Sequence, residues 1–220
     1  MWSPISSLKA QGVTSLDAVV ITHPHADHIG GMAEVLNTVP TQAVYDPGYP
    51  STTKTYSNLL RLIEQKKIPY RRAKTGVAIK TGNSVGMVFL APEALASDAN
   101  NSSAVFRITY GDFAADLMGD AEAPEEAGIL SSTDGLKAQI FRVGHHGSQT
   151  STTEALLEKV KPEVAVILVG AGNQYGHPAQ VTMNRIALTV ARVYRTDEVG
   201  SVVVQTDGNC HSVTAEKKIH

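Results

Sequence analysis

The sequence has a single cysteine, few aromatic residues and almost no excess of charge. Cys210 has no cysteine partner within the chain, which excludes an intramolecular disulfide. The net charge of -2 at pH 7 gives no general attraction to nucleic acid, so charge neither indicates nor excludes such a substrate. No apolar run approaches the roughly 20 residues of a membrane span. Residues 1–11 also lack the basic and apolar segments of a secretory signal.

The rest of the composition is that of a globular protein. Hydrophobic residues make up 42% of the chain and charged residues 18%, which excludes a disordered chain. Strand-like and helix-like patterns alternate without a linker or repeat, which predicts an α/β (α+β) fold in one domain over residues 1–220. The predicted strands are 17–21, 86–90, 104–110, 113–118, 139–143, 164–169, 193–195 and 201–205. The predicted helices are 29–39, 56–63, 151–160 with a capping box of Ser151 and Glu154, and one that begins at Val181.

Four potential metal ligands follow the first predicted strand, in the run His23-Pro24-His25-Ala26-Asp27-His28. Alternate side chains of an extended segment share a face, so His23 and His25 can offer two imidazoles to one cation. Asp27 and His28, at the turn into a helix, can face a second cation. The later histidine motifs also follow predicted strands, and strand ends can converge on one edge of a sheet. The sequence therefore predicts a centre of two divalent metal ions, Zn²⁺ or Mn²⁺.

The pattern His23-x-His25-x-Asp27-His28 resembles the signature of the metallo-β-lactamase superfamily. Later blocks are similar in order and spacing to the soluble C-terminal domain of ComEC-type competence proteins: Gly119-Asp120, Val143 to Ser148, and Asn173 to Pro178. The resemblance implies an αββα sandwich. Only 22 residues precede His23, so we expect missing or shortened N-terminal strands, as in a truncated chain. Such a fold would leave an exposed sheet edge through which chains could associate.

The same resemblance implies roles for later residues. Asp120 would bridge the two metal ions and offset their repulsion. One of His145 and His146 would bind metal while the other contacts substrate or transfers a proton, and the sequence leaves the choice open. His177 would lean over the metal ions toward the substrate. Together with Asp27 and His146, it is a predicted catalytic residue.

One position departs from the wider superfamily. Many members have another histidine between the first motif and the bridging aspartate, and here Asn100 and Asn101 occupy that region. With Ser148 and His177, these asparagines are the predicted substrate-binding residues. An amide oxygen is a harder ligand than imidazole, so one site could favour Mn²⁺ or Mg²⁺ over Zn²⁺.

The resemblance implies hydrolysis of phosphodiester bonds by a metal-activated water, with DNA, single-stranded DNA included, as the leading substrate. Two alternatives stay open. The same centre could hydrolyse small esters, lactones, thioesters or choline phosphodiesters, or the chain could be a metal-binding module without catalysis. A stand-alone chain would be soluble and cytoplasmic, whereas a fragment of a ComEC-type membrane protein would lie outside the cytoplasm.

Other basic side chains are interpreted as solvated surface. One set lies in a polar tail and consists of His211, Lys217, Lys218 and His220. The other set lies in a loop and consists of Arg71, Arg72 and Lys74. The loop could also form a phosphate-binding rim, but the pattern favours a solvated loop.

Overall fold

A computed structural model of the chain describes residues 4–81 and 84–217. The strands in this part of the chain form sheets of six, three and two strands. The helices are α1 Pro4–Ala10, α2 Ala26–Ile29, α3 Met32–Thr38, α4 Lys54–Gln65, α5 Ala123–Ser132, α6 Glu154–Val160, α7 Gln180–Ala187 and α8 Thr196–Val199. The strands are β1 Val19–Val20, β2 Val44–Asp46, β3 Tyr70–Arg72, β4 Gly86–Ala91, β5 Val105–Tyr110, β6 Phe113–Leu117, β7 Ile140–Arg142, β8 Val164–Ile167, β9 Arg192–Arg195, β10 Val202–Thr206 and β11 His211–Ala215.

The six-stranded sheet, in the order β4-β5-β6-β7-β8-β9, buries both of its faces. Neighbouring residues Ile140 and Phe141 of β7 belong to different hydrophobic clusters, because successive side chains of a strand point to opposite faces. Phe141 packs in the cluster that includes Ile129 of α5 and Leu156 of α6. Ile140 lies in the cluster that contacts the hairpin β10-β11. Helices therefore cover one face of this sheet and strands cover the other.

The parallel sheet β1-β2-β3 covers more of that second face. Tyr45 of β2 approaches Phe89 of β4, with ring centroids 5.6 Å apart. Its neighbour Val44 lies in a different cluster, with Leu36 of α3 and Leu59 of α4. The layers follow the order helices, sheet, sheet, helices, which confirms the predicted αββα sandwich. In the described residues β1 is the only strand before the histidine motif, and its sheet has three strands against six in the other, in agreement with the predicted shortening of the N-terminal strands.

Two local predictions are wrong in detail. The hydroxyl of Thr153, not Ser151, caps α6 by accepting a hydrogen bond from the N–H of Leu156. Ser151 is fully buried, and its hydroxyl donates to the Gly144 carbonyl at 2.8 Å, so it is not free to cap a helix. The helix predicted over 29–39 is two helices, α2 and α3, which are separated at residues 30–31.

The predicted polar tail is partly structured. His211 lies on β11 and is half-buried, with its ring centroid 5.9 Å from that of Phe113, so its interpretation as solvated surface is wrong. Hydrophobic contact between the hairpin and β6 accounts for the difference. Lys217 is exposed as predicted, whereas Lys218 and His220 lie outside the described residues.

The basic residues of the predicted loop are exposed, as expected, but two of them belong to a strand. Arg71 and Arg72 lie on β3, and Lys74 follows it. Within residues 4–81 and 84–217, none of the helices combines the length and apolarity required to cross a membrane.

A buried ion pair joins the first hairpin of the large sheet. Arg107 of β5 and Asp116 of β6 are register partners, and Nε and Nη2 donate to the two carboxylate oxygens at 2.7 and 2.8 Å. The guanidinium also donates to the carbonyls of Gly135 and Leu136, each at 2.6 Å. The pair therefore ties the segment after α5 to the sheet.

Candidate metal centre

The candidate ligands follow the carboxyl ends of three strands. Asp120 follows β6, His145 and His146 follow β7, and the first histidine motif follows β1. Asp120 is buried, with 2% of its surface exposed, and its Oδ2 faces four imidazoles. The distances from Asp120 Oδ2 are 3.2 Å to His28 Nε2, 3.6 Å to His23 Nε2, 3.6 Å to His146 Nε2 and 3.9 Å to His145 Nε2. One carboxylate thus lies at the middle of the cluster.

The first motif is held by a short extended segment and one helical turn. His25 is the extended residue before α2, at φ -71° and ψ 147°, and its Nδ1 lies 3.0 Å from Nε2 of His23. The two imidazoles lie together, as the alternation of an extended segment predicts. α2 then turns His28 inward, where Thr22 Oγ1 contacts its Nδ1 at 3.1 Å. This leaves Nε2 of His28 facing Asp120.

Two groups of side chains in the described residues have ligand atoms within 4.8 Å of one another. One contains His23, His28 and Asp120, and the other contains Asp27, His28 and His146. His28 is common to both. The grouping differs from the sequence-based one, in which His23 paired with His25. His25 belongs to neither group, and its side chain is exposed.

The turn after β7 separates the two adjacent histidines. His145 and His146 both have left-handed backbone angles, with φ of 45° and 53°. This conformation costs an L-residue about 1–2 kcal/mol. His146 Nε2 faces Asp27 Oδ2 at 3.3 Å, and its Nδ1 contacts the Leu168 carbonyl at 2.6 Å. His146, rather than His145, therefore belongs to a candidate ligand group.

A second loop packs tightly on this turn. Gly147 has φ 81°, and a Cβ there would lie 2.6 Å from Cβ of Pro178. Its carbonyl accepts a hydrogen bond from the N–H of Ala179 at 2.8 Å. This packing brings His177 next to His145, with ring centroids 5.7 Å apart. Nδ1 of His177 is buried and has no hydrogen-bond partner among the described residues.

The sequence analysis missed Glu122, which joins several candidate residues. Its Oε1 lies 3.0 Å from Nδ1 of His145 and accepts a hydrogen bond from the Thr150 hydroxyl at 2.9 Å. Nδ1 of His145 has no hydrogen-bond partner among the described residues, so its contact with Glu122 is electrostatic. The amides of Asn100 and Asn101 donate to Glu122 at 3.4 and 3.3 Å. The sequence signal that could have indicated Glu122 is its position, two residues after the predicted ligand Asp120.

The predicted substrate-binding residues differ in their surroundings. The side-chain oxygens of Asn100 and Asn101 are buried and have no hydrogen-bond partner in the described part of the chain. Ser148 is only 5% exposed, and its hydroxyl pairs with that of Thr150 at 2.9 Å. His177, by contrast, is half-buried beside the centre.

The electrostatics favour ionised carboxylates and at least one neutral imidazole. Burial, followed by the charge of His28, lowers the pKa of His23 to about 3. Burial alone would raise the pKa of Asp120, but the hydrogen bond and charge of His28 bring it below its usual range. A hydrogen bond with His146 lowers the pKa of Asp27 to about 2. A deprotonated carboxylate and a neutral imidazole are the forms that bind metals.

The donor set fits a divalent metal. Imidazole nitrogen and carboxylate oxygen are ligands of Zn²⁺ and Mn²⁺. In addition, Asp120 Oδ1 is buried without a hydrogen-bond partner among the described residues, although Arg142 Nη1 lies 3.8 Å away. A buried carboxylate oxygen without a hydrogen bond is costly, and a bound cation would satisfy it.

Replacing Glu122 with glutamine is expected to weaken metal binding about threefold to tenfold while leaving the fold intact. His145 lies outside both ligand groups, but the Glu122 carboxylate stands 3.0 Å from its Nδ1 at the border of the centre, and removing its charge reduces the attraction for cations. Metal affinity can be measured by competition with a coloured chelator. Glu34→Gln, an exposed change on α3, is the matched control. Equal affinities for the two variants would contradict the role of Glu122.

Three comparisons with known proteins agree with this geometry. The family model of the metallo-beta-lactamase superfamily matches residues 2–171. ComE operon protein 3 of Bacillus subtilis and competence protein ComA of Neisseria gonorrhoeae are each 31% identical over 200 residues, which is 90% of this chain and 26% of either relative. The chain thus spans about a quarter of the length of these relatives.

A solved structure supports the fold alone. A mutant of the CmlA beta-hydroxylase has a TM-score of 0.51 and 12% identity, over 82% of this chain and 43% of that one. The relatives also confirm the predicted resemblance to competence proteins. From its histidine motif, its αββα layers and the match over most of its length, the chain belongs to the metallo-beta-lactamase superfamily.

Proposed function

We propose that the chain is a metal-dependent hydrolase of phosphodiester bonds. The observation that carries the proposal is the position of Asp120, whose Oδ2 lies within 3.9 Å of nitrogens from four histidines. A carboxylate so placed can serve two cations at once. Membership of a family of metallohydrolases supports the same chemistry.

The residues that would hold two divalent ions come from the two ligand groups. His23 and Asp120 belong to the buried group, and Asp27 and His146 belong to the more accessible one. His28 is common to both groups, but its Nε2 has a single lone pair and would bind one of the two ions. Bound Zn²⁺ or Mn²⁺ would supply an activated water and stabilise charge at the scissile group. The nitrogen and oxygen donors allow either metal.

The chain's own side chains would orient the substrate. Asp27 has 63% of its side chain exposed, so it can contact both the centre and an incoming group. His177 is half-buried and borders the centre beside His145, so its ring is placed to contact a bound substrate. We propose Asp27, His146 and His177 as the catalytic residues, and Asn100, Asn101 and Ser148 as lower-ranked substrate contacts.

We propose single-stranded DNA as the substrate class. The support is the sequence similarity to ComE operon protein 3, to competence protein ComA and to recombination protein 2 of Haemophilus influenzae. On the same basis we propose that the domain acts outside the cytoplasm when it is part of a ComEC-type membrane protein, and in the cytoplasm when it stands alone. The sheet edge at β1 is the proposed surface for association.

A metal-loaded preparation is expected to contain about two ions per chain and to hydrolyse phosphodiesters. The purified chain would be stripped with a chelator and reloaded with Zn²⁺ or Mn²⁺. It would then be tested on bis(p-nitrophenyl) phosphate, a single-stranded oligonucleotide, and a panel of carboxylic esters, lactones and thioesters. Chelation should remove the activity and reloading should restore it.

The panel separates the proposal from its alternatives. Turnover of carboxylic esters, lactones or thioesters without any phosphodiester would contradict it and favour a small-ester hydrolase. Full metal content without turnover of any compound would indicate a binding module.

A further inference from the structure

An exposed aromatic side chain stands beside the candidate metal centre. Tyr175 is 74% exposed, although it belongs to a loop whose other end packs on the histidine turn. Its ring is nearly parallel to that of His177, with an interplanar angle of 20° and centroids 6.0 Å apart. His177 in turn contacts His145. A series of rings therefore runs from the solvent to the centre.

The side chain of Asn173 holds this loop in place. Its amide nitrogen donates to the carbonyls of Gly170 and His177, at 3.2 and 2.7 Å. Its amide oxygen accepts from the N–H groups of Tyr175 and His177, at 3.2 and 3.0 Å. Four hydrogen bonds from one residue fix the backbone on both sides of the tyrosine. The ring is thus presented to solvent by an ordered loop.

An ordered and exposed aromatic ring is well suited to stacking on a planar ligand. Burial of such a ring against a base contributes to binding without reading its sequence, since every base has a π-face. The charge of the chain adds little attraction for phosphates, so stacking would account for more of the affinity than in a basic protein. The position beside His177 places a stacked base next to the proposed scissile bond.

We infer that Tyr175 stacks on a nucleobase of single-stranded nucleic acid adjacent to the bond that the centre cleaves. The inference rests on the proposed function, because that function places the scissile bond at the metal centre. It makes Tyr175 a substrate-binding residue, and Asn173 a positioning residue that acts through the loop. The tyrosine selects substrates with a base and is not required for hydrolysis of those without one.

The test measures binding and hydrolysis separately. Fluorescence anisotropy of a labelled oligothymidylate would be recorded with metal-free protein at low salt, for the wild type, Tyr175→Ala and Tyr175→Trp. We expect Tyr175→Ala to bind about tenfold more weakly or worse, and Tyr175→Trp to restore the affinity. An abasic oligonucleotide should bind equally weakly to all three. Leu188→Ala, which removes an equally prominent apolar side chain from the end of α7, is the matched control.

The hydrolysis assay distinguishes failure of this inference from failure of the proposed function. Bis(p-nitrophenyl) phosphate, which has no nucleobase, reports turnover at the centre, and the control Leu188→Ala is expected to hydrolyse it at the wild-type rate. Asn173→Ala is expected to bind the oligonucleotide as weakly as Tyr175→Ala, because it releases the loop that presents the ring. Equal oligonucleotide affinity for wild type and Tyr175→Ala would overturn the stacking role even where phosphodiester turnover is intact. Absence of phosphodiester turnover together with Tyr175-dependent oligonucleotide binding would overturn only the proposed function.

Discussion

Replacement of Asp120 with asparagine is expected to reduce both phosphodiester hydrolysis and metal affinity by on the order of a hundredfold or more. Loss of a residue that only supports a metal ligand has a smaller effect, of about 10- to 100-fold, and Asp120 is itself a proposed ligand. The amide is neutral, so it cannot offset the charge of two cations. Its nitrogen is also a donor that would point at the imidazoles around Oδ2. Metal content and turnover of the reloaded variant would be measured together.

The control separates loss of the centre from loss of the fold. Asp134→Asn changes an exposed carboxylate after α5 and should retain both metal and activity. Asp120→Asn should still melt cooperatively without metal, because the change keeps the volume of the side chain. A variant that binds metal normally would contradict the central position assigned to Asp120.

The second large effect concerns stability. Arg107→Ala is expected to lower the free energy of unfolding by about 3–5 kcal/mol, because it leaves Asp116 charged and buried without its partner. It also removes the donors to the Gly135 and Leu136 carbonyls. Urea unfolding of the metal-free protein, monitored by circular dichroism, would measure the change.

A double variant tests the physical cause. Burial raises the pKa of Asp116 despite the hydrogen bonds from Arg107, which indicates that pairing does not fully repay the desolvation. Arg107→Met combined with Asp116→Leu should therefore be much closer to the wild type than Arg107→Ala alone. If the double variant lost as much stability as the single one, the destabilisation would come from lost packing and not from an unpaired charge.

The parts of the centre that are close in sequence were predictable. His23, Asp27 and His28 lie within six residues, so the geometry of a strand end and one helical turn places them together, whereas His25, predicted with them, lies outside both ligand groups. The αββα layers were predicted from the family resemblance, whereas local patterns predicted individual strands such as 139–143, in which the neighbours Ile140 and Phe141 lie in different hydrophobic clusters.

Contacts between distant segments were less predictable. The pattern around Asn100 and Asn101 gave no sign that their amides would meet Glu122, because that contact depends on how two loops pack. The side of the turn that His146 faces depends on two left-handed residues that no periodicity specifies. Ser151 stands in a sequence typical of a helix N-cap, yet it is buried and its hydroxyl donates to the Gly144 carbonyl instead.

The close approach of Gly147 to Pro178 has a mechanical consequence. The turn that bears His145 and His146 and the loop that bears Tyr175 meet at this point without room for a methyl group between them. A side chain at position 147 would therefore push Pro178, and with it the neighbouring His177, away from the turn. The absence of a side chain at one residue thus sets how closely the two histidine-bearing segments can meet.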